Sequence, residues 1–347
     1  MEALLTGLVL ALTWESILAV ILGCIVGIVI GAIPGLTFTM GIVLLLPLTF
    51  SLPPIPAMAL LLGVYIGGMT GGSVSAILLG IPGTPSAAAT VFDGHPMAKQ
   101  GHAGKALGTA VIVSIFGGIF SLLVMMLVSS QIAAVAIKFG PVEIFALVVF
   151  GFATICGISE TSVIRGLIAG AIGLMVMTIG LDPIVGVPRL TFGSTNLLQG
   201  IDLVVAMIGM FAIPQVLRTF IQKDPEAEGL DARVKADLPT WREIKQNLWL
   251  MVRCAIMGTG IGAIPGTGGP IAAFLAYDHA RRFSNHPERF GKGELAGIVA
   301  PETANNAVTG GALIPLLSLG IPGDPTTAVM LGGLLIHGLR PGPLLFN

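Results

Sequence analysis

The chain has 347 residues, of which 54% are hydrophobic and 10% are charged, and its formal net charge at pH 7 is -1. A soluble domain has about 25% charged residues, so the composition excludes an ordinary soluble protein and predicts one that lies in the lipid bilayer. The small net charge excludes a strongly basic surface, and we expect no nucleic-acid partner.

The first apolar segment, near residues 16–31, opens a run without charged side chains that extends from Glu15 to Asp93. This segment lacks the basic flank and the small-residue cleavage site of a signal peptide, so we expect it in the mature fold. Other uncharged runs lie between Lys105 and Lys138, between Arg253 and Asp278, and between Asp324 and Arg340. Because a span needs about 20 apolar residues, these runs predict a multi-pass, all-α membrane protein.

Two pairs of segments within the chain match each other. They are GIVIGAIPGLT (27–37) with GTGIGAIPGTG (258–268), and TGGSVSAILLGIPGTPS (70–86) with TGGALIPLLSLGIPGDPT (309–326). The second pair differs by one inserted residue. Internal matches of this length predict a duplicated fold.

The duplication divides the chain into a first repeat at 1–217, a polar cytoplasmic linker at 218–247 and a second repeat at 248–347. Within the linker, Thr240 and Glu243 have the spacing of a capping box, which predicts that a helix begins there.

Glycines recur at every fourth position before both GAIPG segments. They are Gly23, Gly27, Gly31 and Gly35 in the first repeat, and Gly258, Gly262 and Gly266 in the second. Because small residues at this spacing let membrane helices approach closely, each repeat is expected to contain a tightly packed helix pair.

Lysine and arginine placement predicts the orientation of the repeats, because cytoplasmic loops carry the excess of these residues. Residues 218–253 and 281–292 are rich in them, whereas the matching residues 1–15 and 51–56 contain none. We therefore expect the first repeat to be inverted relative to the second. The two basic segments are separated by about 34 residues, which is too short for two comfortable spans, so each GAIPG segment is expected at the tip of a re-entrant hairpin.

The expected crossings are consistent with inversion. Residues 57–92 cross once, interrupted at GIPGTPS, which makes the loop with Lys99 and Lys105 cytoplasmic. Four spans then follow, near 106–130, 140–157, 163–181 and 199–217. By the same count, four spans of the second repeat are expected after residue 347, so the C-terminal part of that repeat is expected to be missing.

The segments GIPGTP (80–85) and GIPGDP (320–325) must each interrupt a helix, because proline lacks an N–H group and glycine permits unusual backbone dihedrals. Interrupted backbone survives at membrane depth only beside protein or a water-filled cavity. Paired interruptions in two repeats therefore predict a binding site near the bilayer midplane, where helix N-termini attract anions. The alternative is that both segments are packing kinks only.

The segment APETANNAVTGG (300–311) predicts a polar stripe on one helical face, formed by Glu302, Asn305, Asn306 and Thr309. Polar side chains at bilayer depth are expected to face the protein interior. The matching positions of the first repeat are Gly63, Ile66, Gly67 and Thr70, which favour close backbone approach instead.

Asp324 and Thr84 occupy matching positions in the two interruptions. Asp324 either holds a coupling cation or proton, or caps the half-helix that follows it. Both interpretations are open from the sequence.

Four segments resemble the large membrane subunit of the tripartite tricarboxylate transporters. They are GAIPG, GIPGTPSAAATVFDGHPMAKQGHAGKALG, APETANNAVTGG and LSLGIPGDPTTAVMLGG, and the likeness extends over most of the chain. The resemblance implies an ion-transporter-superfamily fold with inverted repeats, re-entrant hairpins and elevator-type movement in the bacterial cytoplasmic membrane. It also implies two partners, a small membrane subunit and a periplasmic binding protein that delivers a small carboxylate such as citrate.

The resemblance and the interruptions together predict the residues of the site. The expected substrate contacts are Gly35, Thr37, Thr70, Gly71, Gly72, Gly83, Thr84 and Ser86 in the first repeat, and Gly266, Thr267, Asn305, Asn306, Thr309, Gly323 and Thr326 in the second. Asp324 and Glu302 are the expected coupling-ion residues. We expect no cofactor and no metal other than a transported Na⁺, with H⁺ as the other candidate coupling ion.

The predicted function is cation-coupled import, by symport, of a di- or tricarboxylate. Moving one charge against 100 mV costs about 2.3 kcal/mol, so an anion entering a negative-inside cell needs co-transported cations. One alternative is an exchanger or permease that works without a binding protein. A remote alternative is an intramembrane hydrolase with Ser73, Ser75 or Ser86 as nucleophile, but four of the five histidines, including His95, are expected in polar loops, so we expect no enzyme.

Overall fold

The computed structural model describes residues 9–138, 163–182, 186–201 and 237–346, together with residues 7, 140, 142, 143, 145, 146 and 149. Most residues of the predicted spans near 140–157 and 199–217, and most residues of the predicted linker, lie outside the described residues. Contacts divide the chain into two compact units, residues 1–137 with 218–347 and residues 138–217. Each unit is described by itself.

The N-terminal part of the first unit contains five described α-helices. They are α1 (Trp14–Ala32), α2 (Phe38–Thr49), α3 (Pro54–Leu79), α4 (Ala88–Met97) and α5 (Ala103–Ala136). A 3-10 turn at Pro85–Ala87 leads directly into α4, and a π-helical turn at Ala98–His102 connects α4 with α5. The span predicted near 106–130 is therefore α5.

The second unit contains helix α6 (Val163–Met177), which matches the span predicted near 163–181. Strands β1 (Gly180–Leu181) and β2 (Pro188–Arg189) follow and form a small antiparallel hairpin in which Gly180 lies opposite Arg189. A 3-10 turn at Thr195–Gln199 ends the described part of this unit.

The C-terminal part of the first unit contains α7 (Trp241–Gly262), α8 (Gly268–Arg282), α9 (Ala296–Leu319) and α10 (Pro325–Ile336). Helix α7 begins with the predicted capping box, in which the Thr240 side chain accepts from the Glu243 N–H and the Glu243 side chain accepts from the Thr240 N–H. Of the described helical segments, Trp14–Ala32, Pro54–Leu79 and Pro85–Ala136 are long and apolar enough to cross a bilayer.

Helices α1–α4 and α7–α10 follow the same order: two helices around a GAIPG turn, one long helix, an interruption and a short helix. Backbone conformation repeats as well, since φ is +88° at both Gly35 and Gly266, and +70° and +73° at Gly80 and Gly320. Glycine is needed at these left-handed positions because a side chain would be strained there. The local structure of the two parts therefore agrees with a duplication.

The first interruption lies at GIPGTP, as predicted, but it does not fall within a single span over residues 57–92. Helix α3 runs for 26 residues without a break, and at about 1.5 Å per residue this length exceeds the roughly 30 Å hydrocarbon core. The interruption follows the helix, and the chain then turns back until the Gly83 N–H donates to the Gly72 carbonyl at 3.2 Å. The short helix α4 therefore starts beside α3, partway along its length.

Glycines line the contact between α1 and α3, as their spacing predicted. A Cβ atom at Gly27 would lie 2.8 Å from the Gly68 nitrogen, and one at Gly63 would lie 3.0 Å from the Cys24 nitrogen. The same contact recurs between α7 and α9, where a Cβ atom at Gly311 would lie 3.1 Å from the Gly262 Cα. Backbones at this separation leave no room for a side chain, so the close helix approach is confirmed in both repeats.

The long helices α3 and α9 run antiparallel. Tyr65 in α3 donates a hydrogen bond to Asp324, which follows α9. Farther along α3, Thr70 donates to Asn306 at 3.2 Å, and near its end Ile77 packs in one apolar cluster with Ile298. As the residue numbers increase along α3, the residues that they contact in and after α9 decrease in number, so the two helices point in opposite directions.

Several polar contacts gather at the end of the unit where α3 finishes. Lys105 at the start of α5 forms an ion pair with Glu243 at the start of α7. The Gln100 side chain donates to the Lys292 carbonyl at 2.9 Å. The basic residues around α4, α7 and the loop after α8 therefore lie at one end of the unit, and residue 54 at the start of α3 lies at the other.

Candidate functional site

The first interruption ends in a buried hydroxyl pair. The Oγ1 atom of Thr84 lies 3.1 Å from the Oγ atom of Ser86, and both side chains are buried. Thr84 packs against the face of α3 at Gly72, where a Cβ atom would collide with its side chain. Pro85 has no N–H group, and the Ala87 and Ala88 N–H groups donate to the Thr84 and Pro85 carbonyls, so the two hydroxyls are the main polar groups that this turn presents.

Asn305 lies between the starts of two helices. A Cβ atom at Gly269 in α8 would lie 2.6 Å from the Asn305 Oδ1 atom and 3.0 Å from the Ser86 Cβ atom. The Asn305 side chain is 0% exposed, and neither its Oδ1 nor its Nδ2 atom has a hydrogen-bond partner in the described structure. Because a buried amide without partners costs about 1–3 kcal/mol, this side chain is suited to bind a polar group of a ligand.

A second group of buried polar residues joins four helices. Asn306 donates through Nδ2 to the Ser114 hydroxyl of α5 at 2.7 Å and accepts from Thr70 of α3. Glu302 accepts from the Thr90 hydroxyl of α4 at 2.5 Å and from the Ser114 hydroxyl at 3.5 Å. All of the predicted polar stripe is buried, as expected for polar side chains at bilayer depth.

Asp324 caps helix α10. Its Oδ1 atom accepts from the Thr327 N–H at 2.7 Å and from the Thr327 hydroxyl at 2.8 Å. Its Oδ2 atom accepts from the Tyr65 hydroxyl. The capping alternative is therefore confirmed, and the coupling-ion role of Asp324 stays a prediction.

The starts of α2 and α10 meet in the same way as the starts of α8 and α4. The Oγ1 atoms of Thr39 and Thr326 lie 2.7 Å apart, and Gly269 lies beside Ser86. In both cases, the helix that directly follows a GAIPG turn contacts the short helix of the other repeat. Asn305 lies beside the contact of α8 with α4, and Asp324 lies at the start of α10, beside the contact of α10 with α2.

Several predicted site residues have structural contacts away from Asn305. Thr37 caps α2 by accepting from the Met40 N–H at 3.3 Å. The Thr267 hydroxyl donates to the Ile264 carbonyl at 2.9 Å, and the Thr309 hydroxyl donates to the Asn306 carbonyl at 2.6 Å. These hydroxyls stabilise helix ends and backbone.

The remaining predicted glycines define turns and close contacts. A Cβ atom at Gly71 would lie 2.8 Å from the Ile28 Cα atom of α1, and one at Gly323 would lie 2.6 Å from the Ala312 Cα atom. The Gly266 N–H donates to the Gly323 carbonyl at 2.7 Å, and Gly35 holds the matching turn conformation. Of the predicted set, the structure places Ser86 beside Gly269 and Asn305, with Thr84 in contact with Ser86, whereas Gly72 and Gly83 contact each other and the surroundings of Thr84.

The residues that hold α4 were missed by sequence reasoning. The Asp93 Oδ1 atom accepts from four successive backbone N–H groups, those of residues 291–294, at 2.8–3.1 Å. Its Oδ2 atom accepts from the Tyr277 hydroxyl at 2.9 Å. The only available signal was a carboxylate at the end of an apolar run.

The expectation that His95 lies in a polar loop is wrong. It lies in α4, where its Nδ1 atom is 3.1 Å from the Ile77 carbonyl, so the ring donates to the end of α3. Together with Asp93, it fixes α4 and hence the position of Thr84 and Ser86.

The three candidate nucleophiles of a hydrolase have other partners. Ser73 donates to the Thr70 carbonyl at 2.7 Å, and Ser75 donates to the Gly72 carbonyl at 3.4 Å. Ser86 contacts Thr84. Within the described residues, none of these hydroxyls is hydrogen-bonded to histidine, which the triad chemistry of a serine hydrolase requires.

Comparison with known proteins identifies a family and two relatives. The model of the Tripartite tricarboxylate transporter TctA family matches residues 17–347. A protein of Agrobacterium vitis, described as "Uncharacterized 52.8 kDa protein in TAR-I ttuC' 3'region", is 36% identical over 344 residues, which cover 98% of this chain and 68% of that protein. A second protein of the same organism, "Uncharacterized protein in TAR-II ttuC' 3'region", is 41% identical over 86 residues, 25% of this chain and 36% of its own length.

No solved structure matches the chain. The family match extends over both GAIPG turns, both helix interruptions and Asn305. The chain therefore belongs to the Tripartite tricarboxylate transporter TctA family, a family of membrane transporters.

Proposed function

We propose that this protein is the large membrane subunit of a system that imports a small di- or tricarboxylate, such as citrate, across the bacterial cytoplasmic membrane. Import is by symport with Na⁺ or H⁺. A periplasmic binding protein delivers the substrate, and a small membrane subunit completes the system. Membership of the family supports transport and the presence of partner subunits.

The observation that carries the proposal is the unpartnered amide of Asn305 between the starts of α8 and α4. Free N–H groups and the positive end of a helix dipole attract carboxylates, and the Asn305 Nδ2 atom adds a further donor. The Ser86 side chain lies beside Gly269, as the Asn305 side chain does, and its hydroxyl contacts that of Thr84. One carboxylate group of the substrate binds there.

Charge balance favours cation coupling. No lysine or arginine occurs in residues 54–98, 254–280 or 293–339, which include the helices around Asn305. An anion at this site is therefore neutralised by helix dipoles and by a co-transported cation. Glu302 and Asp324, two buried carboxyl groups of the second repeat, are the proposed positions for that cation.

The antiparallel course of α3 and α9 supports inverted repeats in the proposed transport cycle. The corresponding long helices of the two repeats, α3 and α9, then point in opposite directions. Each re-entrant hairpin contacts the short helix of the other repeat. Movement of the short helices with the bound substrate past a static part of the protein is the elevator mechanism in this proposal.

Uptake of labelled citrate tests the proposal in cells that express the full-length protein with both partners. Na⁺ is compared with K⁺ at fixed pH, with and without the binding protein. We expect uptake to require both the cation gradient and the binding protein. Uptake without the binding protein would favour the exchanger or permease alternative.

The substitution Asn305→Leu tests the site within the same assay. We expect loss of uptake with an unchanged amount of folded protein in the membrane. The control is Asn247→Leu, because within the described part of the chain the Asn247 side chain donates to the Glu243 carbonyl at the start of α7, away from Asn305. Wild-type uptake by the Asn305 variant would exclude the proposed site.

A further inference from the structure

Two basic side chains on α7 and α8 contain buried nitrogen atoms without partners. The Nε atom of Arg253 and the Nε2 atom of His279 are buried, and no atom of the described structure forms a hydrogen bond with either. The two residues lie at similar distances from the turn that joins α7 and α8, Arg253 twelve residues before Pro265 and His279 fourteen residues after it. The Arg253 Nε–H group and, in the tautomer that is protonated at Nε2, the His279 ring can both donate to one anion with several acceptor oxygens.

The acidic residue next to His279 in the chain already forms an ion pair. Asp278 precedes His279 in the chain, but its Oδ2 atom lies 2.7 Å from the Arg282 Nε atom in an ion pair. Among the described residues, no carboxylate forms an ion pair with Arg253. A guanidinium with a desolvated donor and no counter-ion is costly, so an anion from outside the chain would stabilise it.

The surroundings of the pair are apolar and exposed. Trp249 lies one turn before Arg253 and is 69% exposed, and Ile256 on the same helix is 56% exposed. Phe283 is 68% exposed and its ring centroid lies 4.7 Å from that of His279. Tryptophan beside arginine is typical of the membrane–water interface, where the ring lies at headgroup level and the basic group reaches phosphate.

The position in the fold agrees with the cytoplasmic leaflet. His279 lies in the last turns of α8, immediately before the basic segment 281–292. That segment lies at the end of the unit that also contains Lys105 and Glu243. The positive-inside rule predicts that this end faces the cytoplasm.

We propose that Arg253 and His279 bind the phosphate of an anionic phospholipid in the cytoplasmic leaflet, with the acyl chains against Ile256 and Leu275. Free inorganic phosphate offers the same oxygens but has nothing to cover these exposed apolar side chains. The site is separate from Asn305 and does not depend on which substrate is transported. Bound lipid anchors the hairpin of α7 and α8, whose far end contains Gly269.

Native mass spectrometry and thermal unfolding of the full-length protein in neutral detergent test the proposal. The probes are phosphatidylglycerol, phosphatidylcholine and inorganic phosphate. We expect phosphatidylglycerol to bind and to raise the unfolding temperature more than phosphatidylcholine does. Arg253→Gln should weaken phosphatidylglycerol binding about tenfold, the size expected for one lost charge-assisted contact.

Arg289→Gln is the matched control, because Arg289 is an exposed basic residue of the segment 281–292 and is outside the proposed site. Its affinity for phosphatidylglycerol should stay close to that of the wild type. His279→Ala provides a second test that does not depend on the folding of the Arg253 variant. Equal binding of both lipids, unchanged binding in the Arg253 and His279 variants, or equal stabilisation by inorganic phosphate would each overturn the proposal.

Discussion

Thr84 and Asp324 occupy matching positions at the two helix interruptions, but the partners of their side chains differ. Thr84 pairs with another hydroxyl beside the unpartnered Asn305, whereas the Asp324 carboxylate caps α10 and accepts from Tyr65. One interruption therefore presents donors without a negative charge, and the other presents a carboxylate. This difference makes the Thr84 side the candidate position for an anionic substrate.

Thr84→Asp should weaken binding of an anionic substrate, because it places a carboxylate beside the proposed substrate position. At a separation of about 5 Å and an effective dielectric constant of about 20, the repulsion is about 3 kcal/mol, or roughly hundredfold in affinity. Thr84→Asn is the control, since it has nearly the same shape without the charge. Calorimetric titration with the transported carboxylate measures both. Equal affinities of the two variants would contradict binding at this position.

At the scale of helices, glycine decides how closely α5 packs on α9. A Cβ atom at Gly117 would lie 3.1 Å from the Thr303 carbonyl carbon and 3.3 Å from the Ala307 nitrogen, whereas one at the adjacent Gly118 would meet nothing within 4 Å. Gly117 therefore faces the backbone of α9, whereas the adjacent Gly118 faces open space. Backbone atoms cannot move aside as the end of a flexible side chain does.

Gly117→Ala should lower the thermal stability of the purified protein because α5 and α9 must separate, at a cost of about 1–3 kcal/mol for overpacking. Gly118→Ala should leave stability unchanged or raise it by up to about 1 kcal/mol, since alanine favours helix. Thermal unfolding in the same detergent compares the pair. A larger loss in the Gly118 variant would contradict the packing described for α5.

The helices and their turns could be predicted from the sequence because the signals are local. The GAIPG turns, the glycine spacing and the Thr240 capping box involve residues within one or two helical turns of each other. The return of the chain after α3 could not be predicted, because proline and glycine mark an interruption but not the direction that follows it. The anchoring of Asp93 by residues 291–294 joins positions about 200 apart in the chain, and no local pattern indicates such a contact.

The site was predictable in part for the same reason. The helical spacing of Glu302, Asn305 and Asn306 indicated that they are buried, and they are. It did not distinguish Asn306, which contacts Ser114 and Thr70, from Asn305, which has no described partner. That difference depends on which helices surround α9.

At the scale of the whole molecule, the ion pair of Lys105 and Glu243 joins the start of α5 in the first repeat to the start of α7, which leads from the linker into the second repeat. The Lys105 ammonium and the Thr240 cap lower the pKa of Glu243 from its usual value of 4.5 to about 2. Because the folded-state pKa is the lower one, the stabilisation is fully present above the unfolded value and is lost as pH falls toward the folded value. Both side chains are partly exposed, so solvent screening limits the effect to about 1 kcal/mol.

Glu243→Gln should therefore lower the unfolding temperature at pH 7, and the difference from the wild type should shrink between pH 4.5 and pH 2.5. Thermal unfolding at several pH values measures it. Glu288→Gln is the control, because Glu288 is an exposed loop residue whose carboxylate pairs with the His286 ring, two positions away in the chain. A difference that grows with falling pH would contradict the assigned ion pair.

The orientation of the two repeats in the membrane is a prediction for the whole molecule. Because α3 and α9 run antiparallel, Ser51 before α3 and Asn285 after α8 lie at opposite ends of the unit. Ser51→Cys and Asn285→Cys, each in a background without Cys24, Cys156 and Cys254, should react with an impermeant thiol reagent from opposite sides of the membrane.

Gln100→Cys serves as the reference in this labelling experiment. Because the Gln100 side chain contacts the Lys292 carbonyl, a cysteine there should be labelled from the same side as one at position 285. Positive-inside bias predicts that this side is the cytoplasm. Labelling of positions 51 and 285 from one side, with 100 and 285 still in agreement, would exclude inverted repeats while leaving the contacts at this end of the protein intact.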